Sequence, residues 1–225
     1  MRFRTGQRSV AALIVAVVGA LLTVSCGSPE YAYIANSDDR TYVRLPVAWQ
    51  AVDETELATS LGLDPSLTAA DQGVWLEGYD ADLLPSTAHL LGPHAPAPTG
   101  LLLVQDVPQP MRGTYSLDRL RDLFQPTSPS GRQQLAANPG AALSDFALLA
   151  DEVLTPGDGI RGVHVVYRYR VAGGPVQVFD KTAYVNDDAS KLYVFVARCS
   201  SECYAQRQQE IQRAVSSFTV LEDRP

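Results

Sequence analysis

Cys26 is the residue whose position points most directly to a covalent modification. It follows an apolar run, Val10–Val24, in which only Thr23 carries a polar side chain, and the first eight residues include three arginines and no acid. A basic head followed by a short hydrophobic core is typical of a secretory signal. The run is about fifteen residues long, which is shorter than the roughly twenty needed for a permanent transmembrane helix. We therefore expect residues 1–25 to be a cleaved signal peptide.

The residues around this cysteine, Leu22-Thr23-Val24-Ser25-Cys26-Gly27, resemble a bacterial lipobox, although Thr23 stands where leucine is usual. The resemblance implies that Cys26 is diacylated, that cleavage occurs before it, and that the lipid holds the protein on the extracytoplasmic face of the cell membrane. The membrane is then a partner through this lipid. A retained anchor and a plain secreted product are the alternatives. We expect residues 26–37, which begin with small and polar side chains, to form a lipidated tether.

Cys199 and Cys203 remain as a C-x-x-x-C pair once Cys26 is assigned to the lipid. An even pair in an oxidising compartment is most simply a structural disulfide. Redox pairs usually have two intervening residues, and two cysteines cannot complete a tetrahedral zinc site without helpers that the local sequence lacks. We therefore predict a Cys199–Cys203 disulfide between the end of a strand and the start of the last helix.

The three histidines are the candidate imidazole bases and ligands. His89 and His94 lie five residues apart around a Gly-Pro turn, with Asp80 and Asp82 upstream, so a turn could bring these side chains together. The sequence has no H-E-x-x-H or comparable framework, however. We interpret these residues as polar loop residues and His164 as a partly exposed strand residue. No metal and no cofactor are expected.

Motifs for covalent or nucleotide chemistry are absent from the sequence. It has no Gly-x-Ser-x-Gly elbow, no Ser-x-x-Lys, no P-loop and no Rossmann glycine pattern. The neighbouring acids Asp151 and Glu152 lie on a predicted strand, where they point to opposite faces and cannot act together as a glycosidase pair. We therefore favour a binding protein over an enzyme. An envelope hydrolase with a site scattered in sequence and a small-molecule or lipid carrier are the alternatives.

A candidate binding surface combines aromatic and basic side chains on the later strands. Tyr167 and Tyr169 alternate with Arg168 and Arg170 along one predicted strand, and Tyr193 lies on another. Aromatic rings beside guanidinium groups suit recognition of a peptide or a glycan. The alternative is that the aromatic side chains form core beneath covering helices.

The charge of the chain argues against nucleic acid as a partner. Removal of the signal takes away three of the 18 basic residues, which leaves 15 basic against 25 acidic residues and a formal charge of −10. Such a surface repels phosphate backbones, and the sequence beyond the signal has no run of lysine or arginine. Solubility outside the cell accounts for the acidic balance without any specific acidic function.

Apolar periodicity predicts a single α+β domain over residues 38–221, followed by a tail at 222–225. We predict strands over 40–45, 74–79, 100–107, 146–154, 160–171, 176–185 and 191–199. Helices are predicted after the caps Asp53 and Ser116 and over 203–217. Residues 85–98 are predicted to be an exposed loop, and residues 126–140 a loop with a helical turn at 132–137. Glycine-rich and Asn/Asp-rich turns join the later strands, which indicates consecutive antiparallel pairing.

Two short motifs carry a family resemblance. They are Leu45-Pro46-Val47-Ala48-Trp49 after the first predicted strand and the segment Ile211–Val220, which contains Ser-Ser-Phe at the end of the last helix. Together with the predicted lipid anchor and strand meander, they resemble the PsbP-like fold and, within it, the LpqN-type lipoproteins of actinobacteria. The resemblance implies an antiparallel sheet covered by helices in an α/β/α sandwich. Members of this fold mostly serve as binding or assembly factors without an active site, so we expect a lipid-anchored envelope protein that binds a protein partner or an envelope ligand.

Overall fold

The secondary structure is taken from a computed structural model, which describes residues 29–138 and 140–221. Within these residues the chain forms ten β-strands, five α-helices and two short 3-10 helices. The strands are β1 (Tyr31–Asn36), β2 (Thr41–Pro46), β3 (Gln50–Ala51), β4 (Val74–Asp80), β5 (Thr99–Asp106), β6 (Leu143–Gly157), β7 (Ile160–Val171), β8 (Val176–Val185), β9 (Lys191–Ser200) and β10 (Thr219–Val220). The helices are α1 (Glu54–Ser60), α2 (Thr87–Leu91), α3 (Leu117–Arg121), α4 (Pro129–Ala136) and α5 (Ser201–Ser216), with the 3-10 helices at Ala70–Gln72 and Gln109–Thr114.

Seven strands form the main antiparallel sheet, in the order β3-β4-β5-β9-β8-β7-β6. The four strands from β6 to β9 pair with their neighbours in sequence, as the turn residues between them predict. β7 and β8 keep one continuous register from Arg161↔Val185 to Arg170↔Val176. By contrast, β6 is an edge strand with three register shifts against β7. These irregularities let β6 extend beyond the 146–154 that alternation alone predicts.

A second antiparallel sheet contains β1, β2 and β10, with β2 in the centre. β1 pairs with β2 along its whole length, from Tyr31↔Pro46 to Asn36↔Thr41. The described part of the segment expected to be a tether is therefore a paired strand from Tyr31 onward. The reason is that β1 completes its hydrogen bonds and shields Ile34 only when β2 lies beside it, a long-range condition that the short polar segment does not reveal by itself.

Both faces of the main sheet are covered, because successive side chains of each strand point to opposite sides. One face packs beneath α1, α2 and α3, with a core that includes Leu57, Leu90, Leu120, Tyr167 and Phe179. The other face packs beneath α5 and the small sheet, with a core that includes Trp49, Leu102, Phe195, Ile211 and Phe218. This arrangement confirms the predicted α+β fold, in which helices cover an antiparallel sheet.

Helices α1 and α3 begin at the side-chain caps that the sequence predicts. The Asp53 carboxylate accepts a hydrogen bond from the Glu56 N–H at 2.7 Å, and the Ser116 hydroxyl accepts one from the Arg119 N–H at 3.1 Å. Ser200 caps α5 in the same way, which starts that helix two residues earlier than predicted. Each such cap typically stabilises a helix by about 1 kcal/mol. Among the described residues no helix is long and apolar enough to cross a membrane.

Two segments predicted to be loops contain helices. Residues 85–98 include α2, and Leu90 and Ala95 are buried there, with Ala95 bonded through its N–H to Gln177 at 3.1 Å. The prediction of an exposed loop is therefore wrong, because tertiary contacts outweigh the many prolines. Residues 126–140 include α4, which begins earlier than the predicted helical turn because Ser128 caps it and Pro129 is well suited to its first position.

Candidate ligand site beneath the C-terminal helix

A pocket of about 380 Å³ lies between the main sheet and α5. Its polar lining comes from His164 on β7, from Asp180 and Thr182 on β8, and from Gln212 and Ser216 on α5. β7 and β8 pair with His164 opposite Thr182 and with Val166 opposite Asp180. His164 and Asp180 are therefore diagonal neighbours on one face of the sheet, close enough for direct contact.

Asp180 lies at the floor of the pocket, and its side chain is only 1% exposed. The His164 Nε2 lies 2.7 Å from its Oδ1, and the Tyr204 hydroxyl donates to its Oδ2 at 2.9 Å. A buried carboxylate is costly unless its oxygens accept hydrogen bonds, and these two partners satisfy one oxygen each. We call His164, Asp180 and Tyr204 the polar cluster. Its third member comes from the first turns of α5, so helix packing completes it.

Proton affinities in the polar cluster follow from these contacts. The hydrogen bond to Asp180 raises the pKa of the His164 imidazole above its ordinary value, against an opposing effect of burial. Burial raises the pKa of the Tyr204 phenol far above its usual range, and the nearby Asp180 charge acts in the same direction. Tyr204 therefore stays protonated and acts as a donor, while His164 is a cation over a wider pH range than a free histidine.

The imidazole also presents a second nitrogen. His164 Nε2 is hydrogen-bonded to the Asp180 carboxylate, and no residue of the described ranges forms a hydrogen bond with Nδ1. Nδ1 is therefore the nitrogen that a ligand could contact. The His164 side chain is 29% exposed, so this nitrogen can be reached. The hydroxyls of Thr182 and Ser216 line the same pocket, yet neither is hydrogen-bonded to His164 within the part of the chain described. The arrangement suits recognition of a ligand atom better than activation of a protein nucleophile.

The rest of the pocket is apolar. Leu154 from β6, Tyr184 from β8, and Val215 and Phe218 at the end of α5 form its walls. The Tyr184 and Phe218 rings lie 5.8 Å apart between centroids, which is a packed aromatic pair. A pocket with apolar walls and a few polar groups at its base is the usual construction of a small-molecule site.

The five residues proposed from sequence as a binding surface do not meet on one exposed face. Tyr167 and Tyr169 are buried beneath α3 on the side of the sheet away from the pocket, where their hydroxyls donate to Gln125 and to the Pro126 carbonyl at 2.6 Å. The expectation of a shared surface is wrong for these two tyrosines. A helix packs on their side of β7, so their side chains belong to the core.

The remaining three members lie on the pocket side of the sheet. Tyr193 is buried in the core there, whereas Arg168 is exposed. Arg170 forms an ion pair with Asp145 at 2.7 Å. Tyr167, Tyr169 and Tyr193 are all core residues, which was the alternative prediction for the aromatic side chains.

His89 and Asp80 form a second histidine–carboxylate pair, with 2.7 Å between Nδ1 and Oδ2. Asp80 also accepts N–H groups from Asp82 at 2.9 Å and from Ser86 at 3.1 Å, so it fixes the turn between β4 and α2. His94 does not join this pair. The described residues contain no group of three or more side chains arranged to hold a metal ion.

The cysteines divide between the described residues and the segment before them. Cys199 and Cys203 form the predicted disulfide at the junction of β9 and α5. The bridge lies next to Tyr204, so it fixes the part of α5 that completes the polar cluster. Cys26 falls outside the described residues.

Two buried cations on the opposite face were not predicted. The Lys181 ammonium donates to the carbonyls of Arg121 and Leu123 at 2.6 and 2.8 Å, and burial lowers its pKa from 10.5 to about 7. Burial likewise lowers the pKa of Arg198 from 12.5 to about 10. The sequence did contain a signal for the buried lysine: Lys181 alternates with Phe179 and Ala183 along a predicted strand, so it shares their core face.

The fold places this chain in a class of proteins. An antiparallel sheet with helices on both faces is the PsbP-like α+β architecture that the sequence resemblance implied. No protein-family model matches the chain, and no curated protein matches it.

Two solved structures show what this chain is similar to. The solution structure of the cyanobacterial PsbP protein CyanoP from Synechocystis aligns with 88% of this chain and 96% of its own, at 16% identity and a TM-score of 0.50. The Ran-binding protein Mog1p from Saccharomyces cerevisiae aligns over 87% of this chain and 97% of its own, at 11% identity and a TM-score of 0.44. At such identities the likeness to CyanoP establishes the PsbP-like fold and nothing about activity.

Proposed function

We propose that this chain is a lipid-anchored cell-envelope protein that binds a small amphipathic ligand in the pocket beneath α5. The observation that carries the proposal is the 380 Å³ pocket, which places apolar walls above the polar cluster. Its volume lies within the range typical of small-molecule sites, about 300 to 1,000 Å³. Among the functions expected from sequence, an envelope ligand or carrier fits this geometry better than a flat protein interface.

The chemistry of the ligand follows from the lining. An apolar body would lie against Leu154, Tyr184 and Phe218, and an acceptor oxygen would receive the Nδ1–H of protonated His164. The hydrogen bond with Asp180 raises the pKa of His164, which keeps this donor protonated closer to neutral pH. Binding should therefore weaken as the pH rises through the pKa of His164.

A hydrolase with a site scattered in sequence is the rival function. The polar cluster offers a histidine, a carboxylate and a phenol, which an acid–base enzyme could use. The described hydrogen bonds nevertheless commit two of these groups to Asp180, and neither lining hydroxyl is bonded to the imidazole. This geometry favours binding, because a catalytic nucleophile needs a base within hydrogen-bond reach.

The anchor and the LpqN-type assignment rest on the sequence motifs. The lipobox-like residues around Cys26 support lipidation, and the motifs at Leu45–Trp49 and Ile211–Val220 support the lipoprotein family. Intact mass of the membrane fraction tests the anchor. We expect a species that begins at Cys26 and carries acyl mass, and release from the membrane after Cys26→Ala. An unacylated or uncleaved wild-type chain would contradict this half of the proposal.

Calorimetric titration with 1-anilinonaphthalene-8-sulfonate tests the pocket, because this probe combines apolar rings with an anionic acceptor. Ser216 is exposed at the pocket lining, so Ser216→Trp should fill the mouth without disturbing the core. We expect binding to weaken by more than about tenfold, or 1.4 kcal/mol. Gln206→Trp is the matched control, since Gln206 is exposed on the same helix ten residues before Ser216 and does not line the pocket. Equal binding by both variants would exclude the pocket as the site.

A further inference from the structure

The three most exposed large hydrophobic side chains of the described residues belong to Leu83, Tyr33 and Leu84. Leu83 is 90% exposed, and Tyr33 and Leu84 are each 78% exposed. Val47, directly after β2, is 50% exposed. Scattered surface hydrophobics need no explanation, but a cluster of the most exposed ones indicates a contact surface. We call these four residues the Tyr31-end patch.

Strand pairs and a backbone hydrogen bond connect the segments that carry these residues. Tyr31, at the start of β1, pairs with Pro46, and the Trp49 N–H donates to the Pro46 carbonyl at 3.0 Å. The turn between these two contacts contains Val47. Gln50 then pairs with Asp80 at the end of β4, and the loop bearing the two leucines follows at once. The first residue of β1 and the leucine loop therefore lie at the same end of the sheets.

The leucine loop is held outward by its own hydrogen bonds. Asp80 accepts the N–H groups of Asp82 and Ser86 at 2.9 and 3.1 Å, and Asp82 in turn accepts the Leu84 N–H at 3.0 Å. His89 binds the same buried Asp80 carboxylate at 2.7 Å. These bonds fix the turn so that Leu83 and Leu84 point into solvent. A hydrogen-bonded turn that displays two adjacent leucines is a candidate contact surface.

The length of chain before β1 indicates what that is. Cys26 lies five residues before Tyr31, and five residues in any conformation span no more than about 18 Å. We propose that the Tyr31-end patch rests on the bilayer that receives the lipid on Cys26, with Leu83 and Leu84 inserted among the headgroups and upper acyl chains. This inference rests on the proposed lipid anchor. A lipid and an interfacial patch together give the two signals that stable membrane attachment needs.

The side chains of the patch suit this position. Leucine favours the acyl region, and tyrosine is enriched at the membrane–water interface. Such contact would fix the orientation of the domain, with the Tyr31 end down and the turn between β8 and β9 away from the membrane. Asp82 carries a negative charge beside the leucines, so the contact would not depend on anionic lipid.

Tryptophan quenching by brominated phosphatidylcholine tests the contact. The chain beginning at Cys26 contains every described strand and helix, and the Cys199–Cys203 disulfide leaves the Cys26 thiol for coupling to a maleimide phospholipid. Leu84→Trp reports on the patch. Met111→Trp is the matched control, because Met111 is 46% exposed and lies beyond Asp106, at the opposite end of β5.

We expect Leu84→Trp on vesicles to lose more tryptophan emission to the brominated lipid than the coupled wild type, and Met111→Trp to lose no more than the wild type. Equal quenching of the two variants, or none in either, would overturn the bilayer contact and leave the patch to a protein partner. Chemical coupling supplies the lipid whether or not the host acylates Cys26. Failure of this test is therefore distinct from failure of the anchor, which the mass measurement decides.

Discussion

Replacing Lys181 by methionine should remove the contribution of this lysine to stability, which increases between pH 7 and pH 9. The Lys181 ammonium is buried among apolar residues of the face covered by α3, and its pKa falls from 10.5 to about 7. Burial lowers the pKa because the charged form loses its hydration, and the nearby Asp122 charge offsets only part of that loss. Folding therefore favours the neutral amine.

The sign of the effect follows from proton binding. Between about pH 7 and pH 10.5 the unfolded chain keeps the lysine proton while the folded chain releases it, so stability increases with pH in this window. A pKa difference of one corresponds to about 1.4 kcal/mol. From pH 7, where the folded lysine is half protonated, to pH 9, the gain in free energy of unfolding is on the order of 2 kcal/mol. At a typical urea m-value this moves the midpoint by about 1 M.

Urea unfolding of wild type and Lys181→Met at several pH values measures this gain. The variant should retain the fold, because the Arg121 carbonyl still accepts the Thr127 hydroxyl and the Leu123 carbonyl still accepts the Gln125 N–H. Subtracting the free energy of unfolding of Lys181→Met from that of the wild type at each pH removes the contributions of the other titrating groups. Lys191→Met is the control: burial lowers the pKa of Lys191, but hydrogen bonds and charges of Asp39 and Asp106 outweigh it and raise the pKa, so this lysine stays charged throughout the window. Parallel pH dependence of wild type and Lys181→Met would refute the reasoning.

Three further predictions concern the site and its supports. The Asp180 hydrogen bond raises the pKa of His164 above 6.5, so its stabilisation is fully present below pH 6.5 and is lost as the pH rises through the folded-state value. The stability difference between wild type and His164→Gln should therefore narrow on going from pH 6 to about pH 8.5 in urea titrations, and a constant difference would disprove the pairing. Gly162→Ala places a Cβ 2.2 Å from the Ala183 carbonyl oxygen and should cost at least about 1 to 3 kcal/mol. Gly113→Ala, whose Cβ meets nothing within 4 Å, serves as its control, and similar melting temperatures would argue against the β7–β8 packing. The double change Cys199→Ser with Cys203→Ser opens a bridge of sequence separation 4 and should lower the free energy of unfolding by about 2 kcal/mol, with an unchanged denaturation midpoint as the contrary result.

The later half of the fold could be predicted closely. β7 and β8 have the predicted bounds, 160–171 and 176–185, because two glycine turns and the Asn/Asp-rich turn at 186–190 limit the strands and alternation defines them. β1 was missed, since it is stabilised by β2 in a sheet that β10 completes from the other end of the chain. α2 was missed because it is a short helix whose burial depends on contacts with β4 and β5.

In the candidate site too, the local features could be predicted from the sequence and the long-range contacts could not. Sequence predicted that His164 would be a partly exposed strand residue, and it is, but nothing local indicated its partner. Asp180 lies 16 residues from His164 and 24 from Tyr204 along the chain. Alternation separated Tyr167 and Tyr169 from Arg168 and Arg170, yet it could not say which side of the strand the helices would cover.

The sequence by itself determined the local features of this protein: the lipobox-like cysteine, the disulfide pair, the helix caps and the turns that set the strand bounds. Each of these depends on side chains within a few residues of one another, so pattern and spacing suffice. The tertiary structure alone determined the polar cluster, the pocket and the exposed patch at the Tyr31 end. These depend on strand register and on where α5 packs. Such contacts join residues that are distant in sequence, and local propensity carries no information about which of them meet.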